Sequence, residues 1–127
     1  MSRTIRKPRW AFALSVLMPL CLPALAKRVP PKPVTPVVSG DVKYSAAGDG
    51  RDQYVVAQDL KSGSQLWKVK VFHISIKPWL EQDVQWVFIT DLKLVEHALL
   101  IRDEEAHCHS LDLSTKHVKK VSCGSEF

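Results

Sequence analysis

The chain has 127 residues, 46% of them hydrophobic, with 18 Lys and Arg against 13 Asp and Glu and a formal charge of +5. That length suits one domain and excludes a multidomain assembly. Arg3, Arg6, Lys7 and Arg9, and no acid, precede residue 27, which leaves 14 basic residues against 13 acidic. A balance that even gives no electrostatic grip on nucleic acid.

Residues 1–26 read as a signal peptide. A positive start over 1–10 is followed by an apolar run over 11–22, and Ala24 and Ala26 stand at the −3 and −1 positions of a cut before Lys27. The run is shorter than the roughly 20 residues of a spanning helix. The expected product is therefore exported, periplasmic or extracellular, and not an integral membrane protein after cleavage. Cys21 leaves with the leader. Cys108 and Cys123 remain, and an even pair in an oxidising compartment predicts a disulfide. Closing a loop of about 15 residues is worth about 3 kcal/mol in the chain-entropy model.

Residues 27–52 read as a linker. Pro30, Pro31, Pro33 and Pro36 favour extended, unpaired backbone, and Gly48 and Gly50 mark a loop before the folded body. The body is expected over 53–123, with 124–127 as a tail. Residues 53–60 predict a strand. Over 65–76 the apolar set runs Trp67, Val69, Val71 and then switches parity to Phe72, Ile74, Ile76. A one-residue change of face predicts a β-bulge. Pro78 ends that strand, one helical turn is expected over 79–83, and residues 84–89, apolar on both faces, predict a central strand. Short strands follow over 92–95 and 98–102. A hairpin then pairs 107–113 with 117–121 around 114–116. Seven or so short strands predict an all-β domain, a small antiparallel meander forming a sandwich, a partial barrel or propeller-blade-like sheets.

The segment 56–67 (VAQDLKSGSQLW) carries Ala57, Asp59, Gly63, Leu66 and Trp67 at the spacing A-x-D-x-x-T-G-x-x-L-W, with Ser62 in place of Thr. It resembles the blade repeat of quinoprotein-type (PQQ-like) β-propellers. A second, weaker copy at 110–121 keeps Asp112, while Lys116 replaces the glycine and Lys119-Lys120 replace Leu-Trp. The resemblance implies blade-like hairpins in which Asp59 accepts backbone N–H groups and Gly63 takes a positive φ. A propeller needs four or more blades of about 40 residues, so two blades at most fit this length. The resemblance implies no quinone site, and no cofactor is expected.

His107 and His109 flank Cys108 and fall on one face of a strand, with Cys108 on the other. A weak metal site on His107 and His109 with His117 is one reading; an exposed polar face beside the disulfide is the other. Asp103-Glu104-Glu105 reads as a solvated turn. No nucleophile elbow, phosphate loop or H-E-x-x-H helix is present, and the expectation is a protein that is not an enzyme. Trp67 and Trp86 lie in strand patterns and are expected to be buried, whereas Trp79, after Pro78, is the candidate partner contact. The leading reading is a small exported protein of the bacterial envelope acting as a non-catalytic binding or interaction module. Its partner would be another envelope protein or a second copy. The alternatives are an inhibitor of an envelope hydrolase, presenting residues 113–118 inside the disulfide loop, and a His-based metal-binding protein.

Overall fold

The computed structural model describes residues 31–125 and residue 127; the proposed leader lies outside the described residues. Among the described residues eight antiparallel strands form two four-stranded meanders. The first sheet contains β1 (Val37–Ser39), β2 (Val42–Gly48), β3 (Asp52–Asp59) and β4 (Gln65–His73), in that order. The second contains β5 (Ile89–Val95), β6 (Ala98–Asp103), β7 (Cys108–Asp112) and β8 (Val118–Val121). A 3-10 turn at Asp83–Gln85 is the sole helical element among the described residues. All-β architecture is thus established.

The core lies between the sheets. Tyr44, Val55, Ala57 and Val71 from the first meet Ile89, Leu99, Ile101 and Leu111 from the second. Alternation produces this on each strand: β3 is buried at Gln53, Val55 and Ala57, and β6 at Leu99, Ile101 and Asp103. Gln53, 2% exposed, is compensated across the gap, where its Oε1 accepts the Ile89 N–H at 3.2 Å. Such a buried amide costs little because it is paired.

The expected parity switch on β4 is a bulge. Lys70 pairs with Tyr54 and Phe72 with Gln53, so Val71 is the extra residue, and it is buried. A bulge lets Val71 and Phe72 both serve the interior although they are adjacent. Three expectations fail. The segment read as linker contains β1 and β2, because Val34, Val37, Val42 and Ala46 pack against the core in spite of the preceding prolines. Residues 84–88 form no strand, because Asp83–Gln85 is helical and Val84 points outward at 57% exposure. Asp103, read as solvated, is 5% exposed.

The two segments aligned in the sequence, 59–64 and 112–117, adopt one hairpin. The Asp59 N–H donates to Ser64 O at 2.9 Å and Gly63 N–H to Asp59 O at 2.8 Å; Asp112 N–H donates to His117 O at 2.9 Å and Lys116 N–H to Asp112 O at 2.8 Å. The register also matches, Val42 opposing Asp59 as Ala98 opposes Asp112. Counting from those pairs, the inward Leu99 and Leu111 occupy the places of Lys43 and Gln58, which lie on the outward face of the first sheet. The sheets therefore stack in the same sense, one face of the first against the opposite face of the second.

Candidate functional site

Residues 74–88 cross from the first sheet to the second at the end of the sandwich that also carries the β2–β3 and β6–β7 turns. Pro78 has no N–H to extend the ladder, and the chain turns at once, Leu80 N–H donating to Lys77 O at 3.2 Å. The side chain of Gln85 then holds the loop from inside. Its Oε1 accepts Lys77 N–H at 2.8 Å, and its Nε2 faces Lys77 O at 3.1 Å, Glu81 O at 3.0 Å and Leu80 O at 3.3 Å. One amide so satisfies the backbone groups that a strand ladder would otherwise pair.

The loop is clamped to the β2–β3 turn. Ile74 N–H donates to Arg51 O at 2.7 Å, Val87 N–H to Gly50 O at 3.1 Å, and the Arg51 guanidinium donates to the Gln82 side chain. Gly50 is required twice over: its φ is +92°, and a Cβ there would stand 2.5 Å from Trp86 Cγ. On the other side Phe88 N–H donates to Glu104 Oε1 at 3.2 Å, and Glu104 N–H to Phe88 O at 3.0 Å. Held in this way, the loop turns Trp79 (75% exposed), Val84 (57%) and Leu80 (48%) to the outside. Trp79, Leu80 and Val84 are thus apolar side chains held in solvent on a pinned backbone.

Of the other tryptophans, Trp67 packs against the core and lies 5.8 Å from the Tyr44 ring, while Trp86 is half-buried and edge-on to Phe88 at 6.4 Å. Ala57 is fully buried opposite Trp67, and Leu66, at the adjoining register shift, is 51% exposed. Asp59 accepts Lys61 N–H at 3.0 Å and the Ser62 hydroxyl at 3.1 Å, and Gly63 has a φ of +74°. These residues shape a turn.

Cys108 and Cys123 are bonded, with Cα atoms 5.1 Å apart, which ties the tail after β8 to the start of β7. Residues 113–118 lie at the opposite end of β7. There the Lys116 ammonium donates to Leu113 O and sits 5.0 Å over the Trp67 ring, so the hairpin folds back onto the first sheet.

His107 and His109 do face one group, the Oδ2 of Asp103, at 3.8 and 3.5 Å. Its Oδ1 is occupied by the N–H groups of Glu105 and His107 at 2.9 and 3.1 Å. His109 is buried and stacks on Phe72 of β4 at 5.1 Å, joining the two sheets. His117 stands apart in the β7–β8 hairpin. Among the described residues no three His, Cys, Asp or Glu side chains form a group that could hold a metal ion. His73 pairs with Asp52 at 2.7 Å, and that bond, aided by Lys70, holds the Asp52 carboxyl below its ordinary range. Among the described residues no helix is long and apolar enough to cross a membrane.

Sequence reasoning singled out Trp79 but missed Gln85, Gly50, Leu80 and Val84. The D-V-Q-W-V run looks like strand; only the fourfold use of the Gln85 amide shows that it is a braced turn. No protein-family model matches the chain, and no curated protein matches it either.

Proposed function

We propose that this protein is a non-catalytic binding module of the cell envelope, exported by its leader, whose contact surface is the braced loop 74–88. The observation that carries this is the exposure of Trp79 at 75% on a backbone fixed by Gln85 and Gly50. A flexible loop would lose entropy on binding; a braced one presents its anchor without that cost. Tryptophan is also the side chain that most often dominates an interface. The rest of the molecule supplies the frame: a disulfide-stapled sandwich holds both ends of the loop.

Trp79→Ala tests this. Because the indole is largely in solvent, the variant should keep the wild-type melting temperature. In pull-downs from envelope extract it should retain the partner about tenfold less well, corresponding to about 1.4 kcal/mol. Undiminished retention, or a loss of several degrees in Tm, would remove Trp79 from the contact surface.

A further inference from the structure

The apolar side chains of the braced loop are flanked by acid. Glu81 is exposed beside Leu80 and Asp83 adjoins Val84, while the cations at the loop are Lys77 and Arg51, whose guanidinium donates to the Gln82 side chain. The β6–β7 turn at the same end adds Glu104 and Glu105 and is tied to the loop through Phe88. Neither Glu81 nor Asp83 has an ion-pair partner among the described residues.

The outward face of the first sheet has the opposite character. The register places Lys43 beside Gln58, and Val56 and Tyr54 across from Lys68 and Lys70. Lys68 lies 4.2 Å and Lys70 5.9 Å from the centre of the Tyr54 ring, which confirms that the three share a face. Lys70 is also shared with Asp52 at 3.3 Å, whereas Lys43 and Lys68 have no ion-pair partner among the described residues. Val38, paired with Lys43, is 56% exposed. The face is thus a strip of Val38, Val56 and Tyr54 flanked by lysine.

We propose that the occupant of the Trp79 loop is a second copy of this chain, seated with its Tyr54–Lys68 face against the loop; this rests on the loop being the contact surface. Both members of an acid-ringed and a lysine-ringed apolar pair occur on one chain. Trp79 is too exposed to be covering its own chain's face. The same charges disfavour the other candidates. Stacking the two outer faces would set Lys43 and Lys68 against Lys119, which lies outward on the second sheet. An anionic membrane or polyanion would meet Glu81 and Asp83. Because loop and face are different surfaces, the contact is heterologous, and each added copy leaves one loop and one face free.

Sedimentation equilibrium of the purified protein from about 1 μM to about 1 mM tests this. The weight-average mass should climb past two copies without a plateau, and less steeply when salt rises from about 50 to about 500 mM. Trp79→Ala, and separately Lys43→Glu with Lys68→Glu, should each lower the association constant at least about tenfold. Mixed together, these two variants should form pairs that stop at two, since one retains the face and the other the loop. Should the glutamate pair unfold, as read by circular dichroism, Lys43→Gln with Lys68→Gln replaces it in the same mixture. A single-copy mass throughout, a plateau at a closed dimer, or a mixture that behaves as its parts would overturn the proposal. If a single-copy mass coincides with Trp79-dependent capture of an envelope protein, the second-copy inference fails and the binding reading stands. Loss of both removes both.

Discussion

In the first sheet the β1–β2 and β3–β4 turns place glycine in the left-handed region, Gly40 at φ +59° and Gly63 at φ +74°. At the matching turns of the second sheet stand Glu96 at φ +54° and Lys116 at φ +65°. A side chain in that region costs about 1–2 kcal/mol per residue. Around Lys116 the cost is offset by side-chain bonds, a kind that the Asp59 turn of the first sheet also makes. Asp112 takes three bonds, from Ser114 N–H at 2.8 Å, Thr115 N–H at 3.1 Å and the Ser114 hydroxyl at 2.6 Å. Lys116 caps Leu113 O and reaches Trp67. The disulfide closes the far end of β7. Two meanders of the same plan thus differ at these turns, glycine in one and side-chain-bearing residues in the other, and the second adds a covalent staple.

The contrast can be broken from the core outward. Leu111, fully buried, joins the sheets; Leu111→Ala should cost about 2–5 kcal/mol in urea denaturation and unfold both sheets in one transition. Separate transitions for probes in each sheet would show that they are independent units. Replacing Cys108 and Cys123 by serine should cost about 3 kcal/mol, with faster hydrogen exchange confined to β7, β8 and the tail. Equal acceleration in the first sheet would contradict a staple local to the second. Glu96→Gly relieves a left-handed side chain that has no compensating bond among the described residues. It should stabilise by about 0.5–1 kcal/mol, whereas Gly40→Ala should destabilise by about 1 kcal/mol. Like signs for the two would refute the matching of these turns.

The smallest effect is a pH dependence. The Ser114 hydroxyl, with the Thr115 and Ser114 N–H groups, holds the Asp112 carboxyl down at about 2 against an ordinary 3.8. Its folded value is depressed, so its contribution is full above the unfolded value and is lost as pH falls from 3.8 toward about 2. Asp112→Asn should therefore narrow its Tm difference from wild type over that acid window. A difference constant with pH would assign the turn's stability to shape alone.

Much of this was legible in the residues. Alternation gave β3 and the bulge at Val71, Cys108 and Cys123 gave the staple, and the Asp59 and Asp112 motifs gave two hairpins, because each signal is local in the chain. The errors share a cause as well. Residues 27–52 look like linker because Pro30, Pro31, Pro33, Pro36, Gly48 and Gly50 dominate, yet Val37, Val42 and Tyr44 find a core supplied by residues far along the chain. Residues 84–88 look like strand because no short-range rule reveals that Gln85 will spend its amide on Lys77, Leu80 and Glu81.

The β class, the hairpin of β7 with β8 and the place of Trp79 directly after Pro78 were set by the sequence alone, since period-two patterning and proline act within a few residues. Tertiary structure decided which faces met. Leu99 and Leu111 turn inward while their counterparts Lys43 and Gln58 turn outward, because only stacking of one sheet on the other can tell a buried face from a free one. The same packing set Gly50 against Trp86 and so converted an apolar stretch of chain into a braced surface.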